Sequence, residues 1–123
     1  METIPATTSH GEVTLVTHRG IGYVDRSGVP KKNEDRVARA TTTDGRLRLA
    51  VFDGMGGHAN GEAAAEAAAT TFASVMSGSQ DLSTVLQAAN GHIFQRGDGS
   101  GAAAVALEIS GPDMANFAWM GDC

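Results

Sequence analysis

The chain predicts an α+β domain built on antiparallel strands, and three observations predict it. Segments rich in β-branched or alternating apolar residues lie on both sides of one central helical block. Asp44-Gly45 and the "SGPD" stretch at 110–113 supply hairpin turns between neighbouring strand segments. Strands and helices are segregated and do not alternate, which separates the chain from a parallel α/β fold.

Residues 1–11 read as a flexible leader, polar and without periodicity. Glu12–Gly20 ("EVTLVTHRG") is rich in β-branched residues and stops at glycine, so a strand is expected. "YVDRSGVPKKNED" has the Gly, Pro and Asn content of a loop, returning to strand near Asp35. From Arg36 to Gly54 a hairpin is expected about Asp44-Gly45, with Leu47, Leu49 and Val51 alternating against Arg46 and Arg48. Its second strand ends in the apolar run "LAVF", the pattern of a strand covered on both faces. Helix formers fill Gly61–Met76, and "SGSQ" breaks them. Asp81 is placed to cap a second helix with Leu82, Val85, Leu86, Ala89 and Ile93 on one face. "RGDGSG" is a turn, and "AAAVALEI" and "MANFAWM" are two further strands. The expected order is β-β-β-α-α-β-β, with residues 12–123 forming one domain portion. Phe72, Phe94, Phe117 and Trp119 are expected in the core.

A chain of 123 residues can bury one modest core. A net charge of −5 argues against a nucleic-acid surface, which would be basic. No apolar run approaches the roughly 20 residues of a membrane span. The N-terminus shows no basic flank leading to an apolar stretch, and Cys123 is the lone cysteine, so a cytoplasmic protein is expected. The chain stops at "MGDC" directly after an apolar strand, which reads as a domain truncated at its C-terminus.

The chemistry concentrates in "LAVFDGMGGHANGEAAAEAA", residues 49–68. One reading is a glycine-rich phosphate cradle. A P-loop needs Lys and Ser/Thr at the helix start, where this chain has "GEAAAE". A dinucleotide fingerprint finds Gly54 and Gly56 but Ala59 at its third place, and Glu62 and Glu66 would repel an anion there. The other reading is a hard divalent cation held by carboxylate and carbonyl oxygens, with Asp53 at a strand end and Gly54 following it. The Asp44-Gly45 turn would bring Asp35 to the same sheet end as Asp53, with Glu34 beside it, and Asp122 follows another apolar strand. Taken singly, each acid reads most simply as a solvated loop residue. Gathered together, they repel unless a cation neutralises them. His58 reads as packing at the helix start, His18 and His92 as structural.

Together, "NED", "AVFDGMGGHANGEAAAEAA", "GSGAAAVALEI" and "ANFAWMGDC" resemble the first half of a metal-dependent serine/threonine protein phosphatase of the PPM (type 2C) family, in its bacterial form. The resemblance runs from about Tyr23 to the last residue. It implies part of a four-layer αββα sandwich, an antiparallel β-sandwich flanked by helices, with a two-metal Mn2+ or Mg2+ centre at one end of the sheets. Carried over, Asp53 bridges both ions, Gly54 gives a carbonyl oxygen, Glu34 and Asp35 sit beside the centre, and Asp122 matches the aspartate of the family's "GDS" motif. The implied reaction is hydrolysis of phosphoserine or phosphothreonine in proteins by a metal-activated water, with Asp53, Glu34 and Asp35 as the catalytic set. Implied partners are phosphoproteins and a cognate serine/threonine kinase, with no nucleic acid and no membrane. Two positions depart from the pattern. Pro30 stands where the family commonly has a phosphate-gripping arginine, leaving Lys31 and Lys32 as replacement point charges, and Cys123 replaces a serine. The family's later aspartate motifs lie beyond this chain, so weak or absent activity is expected of it. The alternative is a non-catalytic phosphatase-like binding or regulatory module.

Overall fold

The computed structural model describes residues 2–8, 11–17, 23–24, 27–28, 30–31, 33–56, 60–74 and 80–121. The class is α+β, with a four-stranded antiparallel sheet and two helices. Strands β1 (Glu2–Thr8) and β2 (Gly11–Thr17) pair antiparallel, and β3 (Tyr23–Val24) pairs with β4 (Pro30–Lys31). Residues 2–8 therefore form a strand where a loose leader was expected. Thr3, Ile4, Thr7 and Thr8 give this segment the same β-branched content as its partner.

The main sheet has the order β5-β6-β7-β8, from β5 (Asp35–Thr41), β6 (Leu47–Met55), β7 (Gly101–Gly111) and β8 (Met114–Met120). The β5–β6 turn forms at Asp44-Gly45 as expected. The Thr42 N–H donates to the Arg46 carbonyl at 2.8 Å, and Gly45 takes φ +88°, a conformation that favours glycine. Between β6 and β7 run α1 (Asn60–Ser74) and α2 (Leu82–Arg96). Helix α1 lies across β5 and β6, and α2 across β7 and β8, so both cover one face of the sheet.

Alanine builds this layer. Ala64, Ala65, Ala68 and Ala69 of α1 and Ala89 of α2 meet Ala38, Ala50, Ala104, Ala106 and Ala118 of the sheet. Phe52 and Phe72 fill the space between them edge to face, with ring centroids 5.8 Å apart. Leu82, Val85, Leu86 and Ile93, the face expected of α2, are buried in the same core.

The run "LAVF" is not covered on both faces as expected, although Leu47 at the start of β6 is fully buried. Arg48, Ala50 and Phe52 are buried on the helix side, while Val51 and Asp53 are exposed on the other. Ala50 faces the alanines of α1, and Phe52 lies on the same side against Phe72. Arg48 follows because its register partner Glu108 lies on the same side. The two form a buried ion pair, Nε to Oε2 at 2.5 Å, with exposures of 1% and 4%. Arg48 also donates to the Gln80 carbonyl, and Arg46 reaches Glu108 at 3.2 Å.

The second face of the sheet carries the large apolar residues. Register places Val37, Val51, Val105 and Trp119 in one row, and Leu49, Leu107 and Phe117 in the next. Trp119 is 71% exposed and Phe117 66%, and Phe94 of α2 is also exposed. Of the four aromatic residues expected in the core, only Phe72 is there. Phe117 and Trp119 have odd-numbered places on β8, opposite in phase to the buried Ala118.

Two outcomes are expected. Glu108→Leu alone leaves Arg48 buried without its partner and costs about 3–5 kcal/mol, while Arg48→Met combined with Glu108→Leu restores most of that loss, read by urea denaturation. Helix α2 supplies the other. Asp81 caps it by accepting from the Thr84 N–H at 2.8 Å, and the hydrogen bonds from Thr84 hold its carboxyl below the ordinary value. A depressed native pKa means that the cap's contribution is complete above the unfolded-state pKa and is lost as pH falls through the native one. The Thr84 amide resonance should shift in acid, below the usual carboxylate range, and Asp81→Asn should abolish that titration.

Candidate functional site

The β5–β6 register sets Asp35 directly opposite Asp53, so the two side chains leave the same face of the sheet at the same end. Both residues are exposed, and they lie on the open, apolar face, two places along from Val37 and Val51. Beside Asp53 in β7 stands Ala103. Gly121, just past the end of β8, packs against Ala103, since a Cβ built on it would come within 3.1 Å of the Ala103 Cβ. The chain thus leaves β8 at this same sheet end, with φ +82° at Gly121. Asp122 itself, like Lys32, His58 and Cys123, lies outside the described residues, as does the side chain of Lys31.

Gly54 and Gly61 explain two of the glycines around Asp53. A Cβ on Gly54 would stand 2.6 Å from the Gly61 carbonyl carbon and 2.9 Å from the Glu34 carbonyl oxygen. The end of β6, the start of α1 and the loop before β5 therefore meet backbone to backbone, and only glycine fits between them. Gly61 carries the next layer. Its Cβ position lies 2.8 and 3.1 Å from the two Glu34 carboxylate oxygens. The Glu34 carboxylate thus rests on the first turn of α1, a placement that the helix dipole favours.

One arginine that sequence reasoning passed over ties these pieces together. Arg36, next in chain after Asp35, points to the helix side with Ala38 and is only 11% exposed. Its Nε donates to Glu66 at 2.7 Å and its Nη2 to Glu62 at 2.5 Å. Its Nη1 donates to the carbonyls of Asn33 at 3.3 Å and Asp35 at 2.8 Å. Burial works against the charge on Arg36, but the hydrogen bonds to Glu66 and Glu62 outweigh it and raise its pKa further. The signal was legible. Glu62 and Glu66 sit one turn apart on an alanine helix, and Arg36 shares the inward phase of Ala38 and Ala40.

The donors brought together are hard oxygens, the kind that Mg2+ or Mn2+ takes. Among the described residues no group of three or more His, Cys, Asp or Glu side chains converges as a metal cluster. The facing pair Asp35 and Asp53, with Gly54 next to it, is the part of a cation shell that these residues offer. No helix among them is long and apolar enough to cross a membrane. Comparison of the chain with protein-family models, with curated proteins and with solved structures found no match.

The two glycines should respond differently to alanine. At Gly54 the obstruction is backbone on both sides, so Gly54→Ala should cost about 1–3 kcal/mol or more through overpacking. At Gly61 the nearest atoms belong to the end of a flexible side chain. Gly61→Ala should displace Glu34 yet leave stability within about 1 kcal/mol of wild type, since alanine suits a helix better than glycine by that much. Urea midpoints at constant m-value would check both.

Proposed function

We propose that this chain carries the metal-binding half of a PPM-type (type 2C) serine/threonine phosphatase site. The observation that supports this reading best is the register pairing of Asp35 with Asp53, at a sheet end where Gly54 meets the start of a helix. Two carboxylates directly opposite on a sheet repel and destabilise it. A divalent cation held between them would offset that repulsion.

In this reading Asp53 and Asp35 hold Mn2+ or Mg2+ together with Gly54, and Asp122 adds a further carboxylate. Glu34 is held on α1 beside them. A bound divalent cation supplies charge neutralisation for phosphoryl oxygens and lowers the pKa of water, which lets water act as the nucleophile at neutral pH. The protein's own task is to hold its carboxylates fixed at the sheet end. Lys31 and Lys32 offer positive charge to the phosphate of a phosphoserine or phosphothreonine protein, which a cognate kinase would supply. They act as point charges, without the two-pronged grip of arginine. No covalent intermediate on the enzyme is needed.

The finer architecture proposed is the αββα sandwich. The sheet face bearing Val37, Val51, Val105, Phe117 and Trp119 is the surface that a second sheet would cover, at the spacing of about 10 Å found between packed sheets. That same face favours a second reading, a phosphatase-like module that binds a partner and hydrolyses nothing.

Calorimetry with Mn2+ on the purified chain and on Asp53→Asn tests the proposal. Binding that the substitution abolishes, followed by phosphate release from phosphothreonine peptides, is the expected result. Binding indifferent to Asp53 would sink the enzyme reading and leave the binding module.

A further inference from the structure

We infer that Arg36 is a positioning residue for this site: it locks the backbone that carries Glu34 and Asp35 to the first two turns of α1, and thereby sets the metal affinity of the Asp35–Asp53 pair. The inference rests on the phosphatase reading for its metal and on the geometry of one guanidinium for everything else.

Arginine presents five N–H donors in a rigid planar fork. Here the fork is divided between two bodies. One terminal nitrogen takes the carbonyls of Asn33 and Asp35, the two residues that flank Glu34. The other terminal nitrogen and Nε take Glu62 and Glu66, one turn apart on α1. The carbonyls of the residues before and after Glu34 therefore converge on a single atom, and the helix on which the Glu34 carboxylate rests is held by the rest of the same group. Asn33 closes the bracket, its Oδ1 accepting from the Asp35 N–H at 2.9 Å.

A plain structural brace between strand and helix would have no reason to grip main-chain carbonyls on both sides of an acidic residue. Lysine could not replace it, because an ammonium cannot span acceptors lying in two directions at fixed angles. Groups that orient a ligand from outside the coordination shell typically change metal affinity 10–100-fold when removed. Arg36 is itself a cation with no acceptor atom and ligates no metal, and four of its five N–H groups go to these acceptors.

The test uses the full chain with Arg36→Gln, Arg36→Lys and Glu66→Gln, each verified as folded by circular dichroism. Two readouts are taken: Mn2+ affinity from the electron paramagnetic resonance of free manganese, and amide hydrogen exchange without metal. Arg36→Gln should weaken Mn2+ binding about tenfold or more, and Arg36→Lys should not restore it. Exchange should accelerate together at residues 34–36 and 63–66 while the β7–β8 ladder keeps its protection. Should Arg36→Gln not fold, Glu66→Gln, at the exposed end of the fork, should give the same pattern more weakly. Equal Mn2+ affinity in wild type and Arg36→Gln overturns the inference and leaves the phosphatase reading standing. Exchange that accelerates uniformly, or nowhere, also overturns it, because Arg36 is then a general brace or none. If the wild type shows no Asp53-dependent binding, the phosphatase reading falls and the metal role of Arg36 falls with it. In that case paired acceleration still upholds the lock between the two segments.

Discussion

The backbone contact between Gly54 and Gly61 is the constraint from which the rest follows. With no side chain at either position, the start of α1 settles directly on the end of β6, and the carbonyl of Glu34 closes the third side. A helix seated that low cannot tolerate bulky residues along its contact line. The alanines of α1 and their alanine partners on β5, β6 and β7 are the continuation of the same close approach. Phe52 and Phe72 are the exception, packed edge to face against each other. Sixteen glycines and an aromatic content of 5% suit such packing.

A core of small residues buries little apolar area per residue, and two ionic clusters bracket it. Arg36 stands at the end that bears the acidic pair, and Arg48 lies further along on β6, both on the helix-facing side. Neither cluster should be counted as a large net stabiliser, because desolvation offsets most of the attraction between buried charges. Their effect is on specificity. Arg48 and Glu108 are register partners, and slipping β6 by one residue would move one of them to the opposite face. Arg36, gripping acceptors from two elements, fixes the angle at which α1 meets β5. In a layer made largely of alanine, whose shapes discriminate weakly between registers, charged pairs supply the missing discrimination.

Legibility in the sequence divides along physical lines. The turn at Asp44-Gly45, the Asp81 cap and the buried face of α2 were readable because each depends on a few neighbouring residues. The opposition of Asp35 and Asp53 was readable for the same reason, since a hairpin with a defined turn fixes its own register. The phase of β6 was not. Which of Leu49-Val51 and Arg48-Ala50-Phe52 faces the helices depends on the partners that β7 and the helices bring, which no single strand reveals. Leu49 and Val51 look like core and Arg48 looks like surface until Glu108 is placed opposite Arg48. Phe117 and Trp119 were misplaced by the same default, that aromatic means buried. Arg36 was missed because it was judged beside its sequence neighbours, while its partners lie 26 and 30 residues away on α1.

The phase of β6 also joins two features that seem unrelated. Asp35, Val37 and Arg39 alternate to one side of β5, as Leu49, Val51 and Asp53 do on β6, so the acidic pair and the exposed apolar rows share one surface. An antiparallel sheet with a solvated face normally shows polar residues there, and this one shows valine, phenylalanine and tryptophan. In the sandwich proposed above, a second sheet laid on that face would bury the apolar rows and end beside Asp35 and Asp53, walling them in from one side. Its approach would lower the local dielectric around two like charges, which raises the cost of leaving them unneutralised. Cation binding and covering of the apolar face would then favour each other, because each removes a penalty that the other creates. The acidic pair and the open face are on this view two parts of one incomplete surface, and neither is explained without the other.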